Sequence, residues 1–126
     1  MPLIEKAIMG LFGKKHVVKQ ANVRLKVQDQ ILEHPQKKEA LSYLEQVWSK
    51  QQPYVSLLLD HPINQVITLT FFRREEEMII QAEIEEENGS SLVERICHDA
   101  NACERVLCLF FDFGVVDSLE CYHESR

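Results

Sequence analysis

Glycine and proline are scarce in this chain, four of each among 126 residues, and their scarcity excludes collagen-like and low-complexity disordered architectures. No apolar run approaches the roughly 20 residues that a bilayer-spanning helix needs. The signatures of several chemistries are missing as well: there is no Gly-rich phosphate cradle, no nucleophile elbow and no HExxH helix. Cysteine is absent until Cys97, and all four cysteines fall in the last 30 residues. With no secretory leader pattern ahead of them, they are expected to be reduced thiols of a cytoplasmic protein and not a disulfide framework.

Positive charge is thin in the second half. Residues 66–126 carry five Lys/Arg against 14 Asp/Glu, net −9, whereas residues 1–65 carry nine against six, net +3, within a total of −6. Duplex DNA or RNA is repelled by the acidic half, and no basic stripe interleaved with aromatics lies elsewhere. Nucleic acid is therefore excluded as an expected partner, and a cationic protein fits better. The length and the 45% hydrophobic content suit one domain with a single core, assigned to residues 1–126.

What the sequence has in abundance is alternation. In Val66-Ile67-Thr68-Leu69-Thr70-Phe71-Phe72, the residues Ile67, Leu69 and Phe71 share one face and Thr68 and Thr70 the other. After the charged stretch Arg73-Arg74-Glu75-Glu76-Glu77 the chain resumes at Met78, and Ile80, Ala82 and Ile84 alternate with Gln81, Glu83 and Glu85. This predicts a hairpin with one face on the core and a wet acidic face outside. Glu83 and Glu85 are the candidate partner-selecting residues of that face.

Around the hairpin the pattern varies. Leu3, Ile4, Ala7, Ile8, Leu11 and Phe12 recur at helical spacing, which predicts an amphipathic helix within residues 1–15. Leu3, Ile4, Ile8, Leu11 and Phe12 are its candidate docking residues, for its own domain, a second copy or a protein partner. Membrane-surface contact is the less favoured use, because such helices carry a larger basic face. Val23, Leu25 and Val27 predict a short strand. His34-Pro35 opens a helix over 36–51 with Ala40, Leu41, Leu44, Val47 and Trp48 on one stripe, and a strand over 54–59 is closed by Asp60-His61-Pro62. Asn88-Gly89-Ser90-Ser91 reads as a turn, with Glu94 completing a capping box for a helix over 91–102. The doubly apolar run 106–111 predicts a central strand, Gly114 a turn, and 115–122 a last strand.

The sharpest chemical constellation is Cys97, His98, Cys103, Cys108, Cys121 and His123, since thiolates and imidazoles are zinc ligands. The gaps between the cysteines are five, four and 12 residues, not those of CxxC knuckles, and neighbours in sequence point apart on a helix or strand. Buried thiols acting as small hydrophobes are the better reading. No metal, no cofactor and no catalytic residue is assigned, and the glutamate runs read as a solvated face.

Ala40-Leu41-Ser42-Tyr43-Leu44, then Gln52-Pro53-Tyr54-Val55-Ser56-Leu57, then 66–71 and 78–84 resemble the amino-terminal domain of flagellar-brake cyclic-di-GMP receptor proteins, over residues 34–86. The resemblance implies a small barrel-like β domain used for protein contacts and regulation. It implies no nucleotide site: the RxxxR segment and D/NxSxxG turn of a PilZ domain are missing, Arg73-Arg74 lacking the spacing and Asn88-Gly89-Ser90 the context. Together these readings predict an α+β domain, with an antiparallel sheet of five or six strands and two or three helices. They predict a non-enzymatic interaction or regulatory module, the alternative being a metal-binding or thiol-dependent enzyme built on the Cys/His set.

Overall fold

The computed structural model describes residues 23–124 except 64 and 118; the expected helix within 1–15, with Leu3, Ile4, Ile8, Leu11 and Phe12, lies outside the described residues. In chain order the elements are β1 (Val23–Val27), β2 (Gln30–Leu32), α1 (Lys37–Trp48), β3 (Tyr54–Ile63), β4 (Val66–Arg74), β5 (Glu77–Glu86), β6 (Gly89–Cys97), α2 (Ala100–Phe113), a 3-10 turn (Leu119–Cys121) and β7 (His123–Glu124). The strands form one antiparallel sheet in the order β2-β1-β3-β4-β5-β6-β7. This is an α+β fold, with seven strands among the described residues where five or six were expected, and the sheet is open. The barrel-like closure implied by the resemblance is not formed.

Among the described residues both helices, α1 and α2, lie on one face of the sheet. The core between them and the sheet is made by Leu25, Val55, Leu57, Leu69, Phe71, Met78 and Ile80 from the strands, Ala40, Leu44 and Val47 from α1, and Cys103, Leu107 and Phe110 from α2. Each buried Leu or Phe contributes about 1.5–3 kcal/mol of transfer free energy. The start of α1 and the end of α2 are tied by the Lys37 Nζ to Asp112 Oδ2 ion pair at 2.7 Å. A Glu39 carboxylate oxygen accepts from the Gln36 N–H at 2.8 Å, closing the first turn of α1 one residue later than expected.

Three sequence expectations are overturned. Residues 91–102 are not a helix: 89–97 form β6, paired along its full length with β5 from Met78↔Cys97 to Glu86↔Gly89. Asn88-Gly89 is the turn signal of that hairpin, joined by the two residues Glu87 and Asn88, and Glu94 is a strand residue rather than a cap. Residues 106–111 are not a strand: they lie in α2, whose buried set Cys103, Val106, Leu107 and Phe110 has helical spacing. Asp99 caps α2 by accepting the Asn101 N–H at 3.0 Å, and Gly114 at φ 70° ends it, donating its N–H to Phe110 O at 2.8 Å. Residues 115–122 then form no strand; only His123 and Glu124 pair with β6. Cys97 accordingly ends a strand and Cys108 sits on a helix, the reverse of the sequence reading.

Two smaller departures come from irregular pairing. β3 runs through Asp60-His61-Pro62 to Ile63 instead of stopping at Leu59, with its register shifted between Leu58 and Ile63. In β4 a bulge between Val66 and Thr68 places Val66 in the core and leaves Ile67 half-buried, although strict alternation assigned Ile67 to the core.

Candidate functional site

The face of the sheet opposite the helices carries no element among the described residues. Strand registers set its side chains in transverse rows. Arg24, Leu58, Thr68, Glu83 and Leu92 form one row, Lys26, Ser56, Thr70, Gln81 and Glu94 the next, and Tyr54, Phe72, Ile79 and Ile96 the third. Arg74 and Glu77 follow at the hairpin end. The middle row is hydrogen-bonded within itself, Ser56 Oγ to Thr70 Oγ1 at 2.6 Å. The third row is apolar.

Ile79 is the centre of this surface. It is 1% exposed, on a face with no helix above it among the described residues. Arg74 reaches across the same face from the hairpin end, with its guanidinium carbon 5.5 Å from the Phe72 ring centroid, and binds Glu94 two rows away. The bridge is bidentate, Nη1 to Oε2 at 2.6 Å and Nη2 to Oε1 at 3.2 Å. Glu94 is 7% exposed, and its bond to Arg74 shifts the guanidinium pKa further above the ordinary arginine value. By strand register the line from Arg74 to Glu94 crosses Ile79, beside Phe72, as a roof would. Beside the roof a groove of about 520 Å³ opens between Glu77, Ile79, Ile96 and His123.

Around the roofed centre the face is apolar and exposed. Ile31, Leu92 and Ile96, three of the four large hydrophobic side chains that stand out from the described surface, all lie here, 41–48% exposed. Carboxylates border them. Glu83 is half-buried and accepts from Ser90 Oγ at 2.9 Å, Glu85 is exposed, and Asp60 pairs with Arg24 at 3.0 Å. The expected acidic face thus exists at Glu83 and Glu85, but it is the rim of an apolar surface and not a uniform carboxylate ribbon.

Sequence reading missed Arg74, Ile79, Glu94 and Ile96. Arg74 was assigned to the turn, yet only Glu75 and Glu76 form the loop, with Glu75 at φ 59°. Glu94 and Ile96 were hidden by the helix expectation. One signal was present: Met78-Ile79-Ile80 is apolar three times in succession, which requires cover on both faces of β5.

The Cys/His set is dispersed. Cys97 and Cys103 are neighbours in the core, 2% and 0% exposed. The Cys103 thiol beside it draws the Cys97 pKa down to about 6, and the Cys97 thiol together with burial drives Cys103 far upward. As a neutral thiol Cys97 donates to the Asp99 carbonyl at 3.4 Å. Cys108 is raised by burial on α2, and Cys121 is exposed near His123. No three His, Cys, Asp or Glu side chains converge on a metal position among the described residues. On the helix side a second groove of about 540 Å³ runs beside α2, where Arg95 and Arg105 face Asp112 and Asp117 around Leu109 and Phe113. No helix among the described residues is long and apolar enough to cross a membrane.

Comparison with protein families, with curated proteins and with solved structures finds no match.

Proposed function

We propose that this protein is a non-enzymatic interaction module, docking a cationic amphipathic segment of a protein partner on the open face of its sheet. The observation that carries this reading is the half-covered apolar row Phe72, Ile79, Ile96 with its acidic rim. A segment laid there removes Ile96 and Leu92 from water, which supplies affinity. Glu77, Glu83 and Glu85 select its charge and accelerate encounter. The Arg74 to Glu94 bridge holds the floor rigid, so little order has to be imposed on binding. The thiol or metal enzyme alternative draws no support from the positions of its cysteines, two in the core and two apart.

The test is affinity capture from native lysate with wild type and with Leu92→Asp/Ile96→Asp, whose helix-side core is untouched. Partners held by wild type should be lost by the variant while its circular dichroism stays unchanged. Retention of the same partners by the folded variant removes the open face as the docking element.

A further inference from the structure

Docking on the open face leaves the helix side of the molecule without a role. Phe113, 44% exposed, is the one large exposed hydrophobic side chain of the described residues that does not belong to the open face. It ends a second apolar stripe of α2. Ala102, Val106, Leu109 and Phe113 recur at helical spacing beside the core residues Cys103, Leu107 and Phe110, and they line the groove of about 540 Å³. From Ala102 to Phe113 the helical rise makes the stripe about 16 Å long. The groove's volume falls in the range of a single small-molecule site, roughly 300–1,000 Å³.

The charge of this groove runs against that of its surroundings. Of the five Lys/Arg among residues 66–126, Arg73 and Arg74 are paired with Glu76 and Glu94. Arg95 and Arg105 form no ion pair among the described residues, and both line the groove. Arg95 is half-buried over the Tyr122 ring at 5.8 Å, and a cation partly withdrawn from water without a counter-charge favours an anion beside it. Of the two carboxylates that line the groove, Asp112 is already bound by Lys37 at 2.7 Å. Asp117 alone then stands against two guanidiniums, and one positive charge is in excess.

That excess selects a monoanion, and the stripe beside it selects an apolar body. We propose that the groove beside α2 is a binding site for a small amphipathic carboxylate, its head between Arg95 and Arg105 and its body along Leu109 and Phe113. Asp112 and Asp117 come at the carboxyl-terminal end of α2 with Phe113, so repulsion there keeps the head at the arginines. Arg95 also lines the groove beside Ile96, whereas Arg105 and Phe113 belong to this site alone.

The experiment titrates the full chain with decanoate below its micelle concentration, followed by isothermal titration calorimetry. Decyltrimethylammonium supplies the same body with a cationic head, and acetate supplies the head without the body. Expected is saturable, equimolar binding of decanoate and none of either control. Affinity should fall at least about tenfold in Arg105→Glu, where a charge-assisted hydrogen bond becomes a repulsion, and about fivefold in Phe113→Ser. Both residues are exposed, so the core is untouched in either variant. Bound decanoate should also slow alkylation of Cys108, which lines the groove, and leave that of Cys121 unchanged. Leu92→Ser/Ile96→Ser, on the open face, should bind decanoate as wild type does. No saturable binding, equal binding of the cationic amphiphile, unchanged affinity in Arg105→Glu, or loss of binding in the Leu92/Ile96 variant would each overturn the proposal.

Discussion

Arg74 and Glu94 decide the chemistry of the open face through burial, not through catalysis. Removing Arg74 alone takes the bidentate partner from a Glu94 carboxylate that is 7% exposed, whereas replacing both with apolar groups of similar size removes the buried charge as well. Thermal melts should therefore rank Arg74→Met as clearly destabilised and Arg74→Met/Glu94→Leu as recovered towards wild type. An equal loss in both variants would show that the bridge is not what covers Ile79. Tyr122 offers a second test at this scale. It is 8% exposed, its hydroxyl has no hydrogen-bond partner among the described residues, Arg95 stands 5.8 Å over its ring, and burial raises its pKa. A raised folded pKa means that the stability it contributes is complete below the unfolded value near 10 and is lost as pH rises beyond it. Tyr122→Phe should flatten that alkaline loss and gain up to about 1 kcal/mol at neutral pH, read by urea unfolding between pH 7 and 11. The thiols form a third test. Alkylation followed by mass spectrometry should label Cys121 first and Cys108 slowly, and reach Cys97 and Cys103 only on unfolding, because ionisation of Cys97 cannot expose it.

At the scale of elements, α2 shows how a local signal is misread. Its segment 106–111 is apolar on every side in sequence, and a short apolar run does not by itself separate a strand from a buried helix. The wider spacing Cys103, Val106, Leu107, Phe110, with Asp99 before it and Gly114 after it, is what marks the helix. β6 is the converse. Ser91, Val93, Arg95 and Cys97 alternate with Leu92, Glu94 and Ile96, and Asn88-Gly89 precedes them, but Ser91 and Glu94 also match a capping box. The pairing of nine residues with β5 outweighs that local preference. Two substitutions test the helix assignment by equilibrium unfolding. Leu107→Ala, at a fully buried site of α2, should cost about 2–5 kcal/mol. Gly114→Ala, at a left-handed C-cap, should cost about 1 kcal/mol. A neutral result at Leu107 would contradict its place in the core.

For the whole molecule, the two faces of the sheet are covered differently among the described residues. The helices close one face, and the other face presents an apolar row framed by carboxylates. Substituting Leu92→Ser/Ile96→Ser should cost no more than about 1 kcal/mol per site, because the two residues are 47% and 41% exposed and give up only part of their buried area, while abolishing docking. Loss of both fold and docking in that variant would mean that the face is structural.

The sequence by itself determined the β4–β5 hairpin, β1, α1 and the side of the sheet on which Leu69, Phe71, Ile80 and Ala82 are buried. Each of these is set by a periodicity of two or 3.6 that only one packing direction satisfies. It also determined the acidic rim, because Glu83 and Glu85 follow from that alternation. Only the tertiary structure decided that the sheet stays open with seven strands, that 89–97 extends and 100–113 coils, and that Arg74 reaches Glu94 across Ile79. Those outcomes depend on contacts between residues distant in the chain, where β5 supplies a pairing edge for β6, and where two charged side chains share a roof that neither could form alone.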